Sequence, residues 1–257
     1  MPLTIPSKIE LDAIAALIEF DRLRVLEIGA GDGRLSYPLA GPARFWLGVD
    51  RDFDELAAAL EDPRRGEVAH LCWAGADAAH LPLADSSIDL IFFTWSLCCV
   101  APDQAMALRE AWRVIRPGGA LIAIHATDAR AQLEVWHALS TTGASAVTPE
   151  NLAAIERTAL GPLDHEREAR RHFTRANEAL VDALETGFEL AGVKTFEYQY
   201  FFDDLDELTD YLEDSHEHAR PHEGQLEAAL LALQRAPTPP RLVLIQPSLI
   251  AGLRKSA

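Results

Sequence analysis

The chain has 257 residues, of which 49% are hydrophobic, and its mean hydropathy is −0.01. This composition is typical of a soluble globular protein with a substantial core, and it excludes a wholly disordered chain. The net charge of −17 at pH 7 argues against broad nucleic-acid binding and against contact with anionic membranes, since both need clustered cations.

The cysteines and the apolar stretches of the sequence indicate the cellular compartment of the protein. Cys72, Cys98 and Cys99 are too few for a disulfide framework and lack the spacing of metal ligands, so we predict no metal site and a reducing environment. The first residues lack the basic-then-apolar order of a signal peptide. The most apolar stretch, residues 90–101, is well short of the roughly 20 residues that span a bilayer. We therefore expect a cytoplasmic protein that contacts no membrane.

The first half of the chain alternates predicted helices and strands. It begins with a helical spacing of apolar residues over residues 7–20, where Ser7 and Glu10 form a capping-box pattern. Five strands are predicted, at residues 23–28, 45–49, 68–73, 88–93 and 120–125. Strands that alternate with helices indicate βαβ units and a parallel sheet covered on both faces. The predicted fold class is α/β, with a doubly wound, mostly parallel sheet of about seven strands.

The pattern changes after residue 125. The segment up to residue 193 holds enough residues for three helices, although the sheet topology needs only one. The helices predicted here cover residues 129–139, 149–158 and 166–184. The first two would form a helical insertion between strands 5 and 6, above the sheet. The remaining predicted elements are a strand at residues 193–201, helices between 204 and 237, and a last strand at 242–245.

The segment Gly29-Ala30-Gly31-Asp32-Gly33, between a strand and a helix, predicts a site for a polar ligand. Glycines let the backbone approach a ligand, and a helix N-terminus offers unpaired N–H groups. A dinucleotide fingerprint would need a small residue where Arg34 stands. Glu27 would repel a pyrophosphate but suits an ammonium group, unless it only accepts from loop amides. Asp50 ends the second strand, where a carboxylate can accept both ribose hydroxyls. Together these features favour a nucleoside with a cationic amino-acid tail, of which S-adenosylmethionine is the common one.

Five motifs stand in order between residues 23 and 125. They are VLEIGAGDG at 25–33, GVD at 48–50, GADA at 75–78, LPLADSSID at 81–89 and RVIRPGGAL at 113–121. In this order and spacing, the chain resembles the class I S-adenosylmethionine-dependent methyltransferases, and among them the type 11 group that acts on small molecules. The resemblance implies a Rossmann-like fold, S-adenosylmethionine as cofactor and a small-molecule methyl acceptor.

The resemblance also implies roles for individual residues. The implied cofactor-binding residues are Glu27, Gly29, Ala30, Gly31, Gly33, Asp50, Arg51, Ala76, Asp77, Ala78 and Trp95. Among them, Asp50 would hold the ribose, Asp77 would accept from the adenine amino group, and Trp95 would border the sulfonium. Arg51 and Phe53 would lie beside the adenine. A purely structural interpretation stays open for three of these residues, because Asp50 and Asp77 could cap helices and Trp95 could belong to the core.

His125, at the carboxyl end of the fifth strand, is the candidate general base, since ligands bind outside the carboxyl ends of such strands. It could equally be a hydrogen-bonded wall residue. The adjacent pair Cys98-Cys99 would suit metalloid methylation, but no further cysteine lies downstream to complete a three-thiol site, so we expect two buried apolar residues.

Two other function classes stay open. One is a non-catalytic protein that binds S-adenosylmethionine and regulates or scaffolds. The other is a nicotinamide-dependent oxidoreductase, which Arg34 and the Pro117-Gly118-Gly119 turn disfavour. In the preferred interpretation, residues 1–257 form a single methyltransferase domain. Its parts are an N-terminal helix (1–22), a cofactor-binding half (23–125), a helical cap (126–165) and the C-terminal half of the sheet (166–257).

Overall fold

The computed structural model describes residues 8–19, 21–138, 155–165, 167–214, 219–235 and 239–256. The helices are α1 (Lys8–Ala15), α2 (Ser36–Leu39), α3 (Phe53–Glu61), α4 (Gln104–Val114), α5 (Arg167–Glu185), α6 (Leu205–Asp214) and α7 (Glu223–Arg235). The strands are β1 (Arg24–Ile28), β2 (Phe45–Asp50), β3 (Leu71–Gly75), β4 (Ile88–Thr94), β5 (Ile115–Ala126), β6 (Gln132–Ala138), β7 (Ile155–Pro162), β8 (Asp164–His165), β9 (Phe188–Phe202), β10 (Ala219–Arg220) and β11 (Arg241–Lys255). Short 3₁₀ turns cover Pro63–Gly66 and Leu97–Val100.

Nine of these strands form one sheet. Its order is β3-β2-β1-β4-β5-β11-β6-β7, and β9 also pairs with β11. The strands β1 to β5 pair in parallel, whereas β6, β7, β9 and β11 join antiparallel. The predicted α/β class is confirmed, with nine strands in the main sheet rather than about seven. The chain reverses its direction of progress through the sheet between β1 and β4, which is where ligands bind in such sheets.

The predicted helical insertion between strands 5 and 6 is wrong within the described residues. Where helices were expected at residues 129–139 and 149–158, β6 and β7 form an antiparallel pair. The physical reason is a period of two in β6, which buries Leu133 and Val135 completely or almost so. The N-terminal part of β11 also offers a strand edge to which β6 pairs. Residues 139–154 lie outside the described part.

The later elements follow the prediction more closely, although the strands are longer. The helix expected at residues 166–184 is α5, and the last two strands, β9 and β11, run for 15 residues each. Their length follows from mutual pairing, because β9 pairs with β11 almost from end to end. The helix expected after the glycine loop is α2, which has only four residues. Of the N-terminal helix, α1 is described, and Ser7 lies outside the described residues.

The sheet is covered on both faces, as the alternation along β5 shows. Leu121 and Ala123 belong to the apolar cluster that includes α4 and α5. Ile122 and Ile124 belong to the opposite cluster, which includes Ile14 of α1. No helix among the described residues is long and apolar enough to cross a membrane. With both faces buried, the loops at the carboxyl ends of β1, β2 and β4 form the edge where a ligand can enter.

Candidate functional site

The glycine loop after β1 has a backbone that side chains would obstruct. Gly29, Gly31 and Gly33 have φ values of +73°, +52° and +82°. A Cβ atom at Gly29 would lie 2.3 Å from the Cβ of Ser96 in the loop after β4. The Oγ of Ser96 donates a hydrogen bond to the carbonyl of Ile28 at 2.5 Å, which ties this loop to β1. The backbone of the glycine loop therefore packs directly against the side chain of Ser96, which leaves no room for a side chain at Gly29.

Asp50 connects the glycine loop to the end of β2. Its Oδ2 accepts from the Gly31 N–H at 2.9 Å, and its Oδ1 accepts from the Asp52 N–H at 3.0 Å. The N-cap of α3 is Asp52, whose side chain accepts from the amides of Asp54 and Glu55. Asp50 therefore holds the loop and is not the helix cap.

Two cavities lie near Asp50, one lined by the residues that directly follow it and one lined by the glycine loop. The first, of about 460 Å³, is open to solvent and is lined by Arg51, Asp52, Phe53 and Asp54. The ring of Phe53 is 74% exposed, and a Cβ atom at Gly75 would lie 2.8 Å from it. The first cavity thus has a flat aromatic wall between the ends of β2 and β3.

The second cavity, of about 300 Å³, is called the tyrosine cavity here. Its lining includes the glycine loop, the carboxylates of Glu27, Asp32 and Glu55, the guanidinium of Arg34, and the rings of Trp95, Tyr198, Tyr200 and Tyr211. Tyr198 and Tyr200 come from β9, whereas Tyr211, which the sequence did not indicate as a site residue, comes from α6.

Glu27 lies at the base of the tyrosine cavity with only 2% of its surface exposed. Its carboxylate accepts hydrogen bonds from Ser36 Oγ, from Thr94 Oγ1 at 3.1 Å and from Trp46 Nε1 at 3.2 Å. Its partners are therefore side chains, not loop amides. Burial raises the pKa of Glu27 to about 7, although these hydrogen bonds favour the ionised form.

The tyrosine cavity is closed on one side by a buried ion pair that sequence reasoning missed. Glu10 of α1 is fully buried and holds Arg34 with two hydrogen bonds, of 2.7 Å and 3.0 Å. The same carboxylate accepts from Trp95 Nε1 at 2.7 Å. Burial disfavours the charged form of Arg34, but the contact with Glu10 outweighs it and raises the arginine pKa. The sequence indicates Glu10 only as part of a capping-box pattern. No local signal indicates that its carboxylate contacts Arg34 and Trp95.

Asp77, Ala76 and Ala78 follow β3, which pairs with β2 so that Gly75 lies opposite Asp50. The Asp77 carboxylate accepts from the Ala79 N–H at 2.9 Å and contacts His80 Nδ1 at 3.0 Å. These two contacts lower the pKa of Asp77. The Ala76 N–H donates to the Asp50 carbonyl. None of the three lines either cavity among the described residues, so their cofactor contacts stay a prediction.

The cysteine pair is only half buried. Cys98 is buried and Cys99 is exposed, with the two Sγ atoms 3.8 Å apart. Both thiols donate to the carbonyl of Trp95 at 3.6 Å. The expectation of two buried residues is therefore wrong for Cys99, because the short 3₁₀ turn buries Leu97 and Cys98 and leaves the next residue at the surface.

The structure does not bring His125 to either cavity. The residue is fully buried, and its Nε2 lies 2.9 Å from Oδ1 of Asn177 on α5. Its Nδ1 has no hydrogen-bond partner among the described residues, and burial lowers the histidine pKa. The neutral imidazole is therefore the folded form, and the role of a base stays a prediction.

This burial predicts a pH dependence of stability. Below the ordinary pKa of 6.5 the unfolded chain binds a proton at His125 that the folded chain does not, so stability is lost as the pH falls. The loss is at most about 1.4 kcal/mol per pH unit. In chemical denaturation between pH 8 and pH 5, the free energy of unfolding should depend less on pH for His125→Leu than for the wild type. The exposed control His222→Leu should show the pH dependence of the wild type. Equal slopes of the free energy of unfolding against pH in all three proteins would contradict a neutral, buried His125.

The role of His125 as a base has a separate test. Lower turnover of His125→Leu with unchanged cofactor affinity would support a base.

Comparison with known proteins agrees with the motif pattern. Residues 26–123 match the family model of the methyltransferase domain. The chain is 37% identical over 113 residues to an arsenite methyltransferase of Aquipseudomonas alcaligenes, covering 39% of this chain and 32% of that protein. It is 29% identical over 186 residues to a demethylmenaquinone methyltransferase of Lactiplantibacillus plantarum, covering 69% and 73%.

Solved structures share the fold over nearly the whole chain. An S-adenosylmethionine-dependent methyltransferase from Mesorhizobium loti has a TM-score of 0.52 at 18% identity, covering 95% of this chain and 96% of that chain. The first curated relatives are matched over less than half of their own length. The match to the family model covers the glycine loop, Asp50, the strands β2, β3 and β4, and most of β1 and β5. Residues 26–123 are therefore similar in sequence to the methyltransferase domain family, and the fold of the chain is that of solved S-adenosylmethionine-dependent methyltransferases.

Proposed function

We propose that the protein transfers a methyl group from S-adenosylmethionine to a small-molecule acceptor. One observation carries the proposal, namely that Asp50 stands between two cavities along the chain: its carboxylate holds the glycine loop, which lines the tyrosine cavity, and residues 51–54, directly after it, line the first cavity. An elongated ligand with a flat base, a sugar and a charged tail could lie along the carboxyl edge of the sheet. The acceptor would then reach the reacting group from the tyrosine cavity.

The residues present fit this cofactor. Each Asp50 oxygen accepts one backbone N–H, and a carboxylate oxygen can accept more than one, so capacity is left for ribose hydroxyls. Glu27, Asp32 and Glu55 offer carboxylates to an ammonium group. The backbone of Gly29 and Gly31 lines the tyrosine cavity without a side chain in the way, and the exposed Phe53 offers a ring to a base. Arg51 lies beside Phe53, and Ala76, Asp77 and Ala78 complete the proposed adenine surroundings.

S-adenosylmethionine, when bound, supplies a methyl group on a positively charged sulfur. The protein contributes alignment and the exclusion of water, which such a displacement needs most. Trp95 is suited to this task because its indole is fixed by Glu10 and packs edge-on against Tyr198 at 4.9 Å. These rings close the cavity beside the glycine loop.

The test is isothermal titration with S-adenosylhomocysteine. Asp50→Ala should bind at least tenfold more weakly, because losing a charged hydrogen-bond acceptor costs about 1.5–3 kcal/mol. Asp21→Ala, which removes an exposed carboxylate of 75% side-chain exposure, should bind like the wild type. Thermal unfolding of each variant separates a lost contact from a lost fold. Wild-type protein that does not bind S-adenosylhomocysteine would refute the proposed function, and unchanged affinity in Asp50→Ala would refute the ribose assignment.

The finer features of this function are proposals as well. A cavity of about 300 Å³ suits a small molecule rather than a macromolecule. The net charge of −17 disfavours nucleic acid and anionic membranes as partners. All three cysteines are free thiols, which suits the cytoplasm. The main sheet continues from β1 to β11, which supports a single domain.

A further inference from the structure

The charge of the tyrosine cavity is one-sided. Its described lining includes three carboxylates, those of Glu27, Asp32 and Glu55. Arg34 is the one cationic side chain among the described lining residues, and both of its terminal nitrogens are bonded to the buried Glu10. Burial, together with the negative charges of Asp32 and its neighbours, raises the pKa of Glu55. The cavity therefore favours positive charge.

The wall opposite the glycine loop is aromatic. The ring centroids of Trp95 and Tyr198 are 4.9 Å apart, those of Tyr198 and Tyr200 are 4.7 Å apart, and those of Tyr200 and Tyr211 are 4.9 Å apart. The faces of such rings attract cations. Tyr198 and Tyr200 stand two residues apart on β9, so a period of two turns both toward the cavity.

We propose that the acceptor atom is an amine nitrogen of a small molecule, held by the rings of the tyrosine cavity, whose carboxylates serve the ammonium group of the cofactor and also keep the cavity negative. The inference rests on the proposed function and specifies its substrate class. An amine that enters as an ammonium ion first gives one N–H proton to water, and the nitrogen lone pair then forms the new bond to the methyl carbon while the carbon–sulfur bond breaks and its electron pair stays on sulfur. The positive charge moves from sulfur to nitrogen, and the methylated ammonium then loses an N–H proton to water.

The charge balance separates an amine from the other acceptors. With a neutral amine as the acceptor, the cavity holds one positive charge throughout the reaction, first on sulfur and then on nitrogen. The rings and the carboxylates stabilise this charge in every state. An anionic oxygen or carbon nucleophile would have to enter beside three carboxylates before transfer, without a free cation in the described lining to hold it. The same surroundings that favour an ammonium product thus oppose an anionic reactant.

The binding test compares probes of similar shape and different charge. Protein saturated with S-adenosylhomocysteine is titrated with tetramethylammonium, tert-butanol or pivalate, with ligand-observed NMR as the readout. We expect tetramethylammonium to bind about fivefold more tightly than tert-butanol, and pivalate to bind most weakly. Equal binding of the cation and the alcohol, tighter binding of pivalate, or no binding of tetramethylammonium would overturn the proposal.

The variants locate the effect in the rings. Tyr200→Leu should weaken tetramethylammonium binding about fivefold, whereas Tyr200→Phe, which keeps the ring face, should stay within about twofold of the wild type. The matched control is Phe201→Leu, since Phe201 is next on β9 but packs against Trp136 on the other side of the strand. Loss of cation binding in Phe201→Leu alone, or equal loss in all three variants, would contradict the assignment.

Turnover completes the test. With S-adenosylmethionine, a panel of small amines should give products heavier by one methyl group, and matched phenols and carboxylic acids should give none. A phenol or an acid that is methylated faster than every amine would refute the amine assignment and leave the proposed function intact. Failure of S-adenosylhomocysteine to bind at all would refute the proposed function itself, so the two failures are distinguishable.

Discussion

Glu10→Ala is expected to lower the free energy of unfolding by about 3–5 kcal/mol, the usual cost of removing one partner of a buried ion pair. Glu10 is fully buried, and its carboxylate holds both Arg34 and Trp95. Alanine would leave the guanidinium of Arg34, whose side chain is 18% exposed, without its counter-ion. Urea denaturation followed by circular dichroism measures the change.

The matched control lies on the same helix. Lys8 and Asp12 form an exposed pair, so Asp12→Ala should cost less than about 1 kcal/mol. The double variant Glu10→Ala with Arg34→Met removes the uncompensated charge and should recover part of the loss. If Glu10→Ala and Asp12→Ala are equally stable, or if the double variant is no better than Glu10→Ala, the ion pair does not hold α1 against the site.

The second large effect is expected for Gly29→Ala. The new methyl group would lie 2.3 Å from the Ser96 Cβ, and the φ of +73° is unfavourable for any residue with a Cβ atom. The positive φ costs about 1–2 kcal/mol, and relief of the overlap by backbone shifts costs about 1–3 kcal/mol more. Since the shift moves the glycine loop, S-adenosylhomocysteine binding should weaken together with the free energy of unfolding.

Two other glycines separate the cost of the positive φ from the cost of the steric overlap. Gly118 has a φ of +75° with nothing within 4 Å of an added Cβ atom, so Gly118→Ala measures the backbone cost alone. Gly41 has open space and no positive φ, and Gly41→Ala should change stability by less than about 1 kcal/mol. Among the three variants, Gly29→Ala should show the largest loss of stability in denaturation and the largest loss of S-adenosylhomocysteine affinity in titration. A Gly29→Ala protein as stable as Gly118→Ala would show that the two loops are further apart than described.

The sequence predicts the parallel half of the sheet well because its signals are local. Each strand from β1 to β5 is a short apolar run next to turn residues, and the glycine loop and Asp50 follow directly from strand ends. The pair β6 and β7 was missed because short apolar runs fit both helical and strand periods. The alternation of Leu133 and Val135 becomes decisive only when β11 offers an edge to pair with.

The walls of the candidate site were less predictable, since they depend on contacts between distant segments. Glu10 and Arg34 are 24 residues apart, and Glu10 and Trp95 are 85 apart. Nothing in the local pattern around Glu10 distinguishes a capping residue from a buried counter-ion. Tyr211 likewise reaches the cavity only because α6 packs beside β9.

The dependence of β9 on β11 has a consequence for the order in which the site is assembled during synthesis. The glycine loop and Asp50 leave the ribosome early, whereas Tyr198 and Tyr200 belong to a strand whose described partner, β11, covers Arg241–Lys255. Long-range strand pairing has to await its later partner. A nascent chain can therefore form the glycine loop well before the aromatic wall of the tyrosine cavity is fixed, since that wall has to await β11.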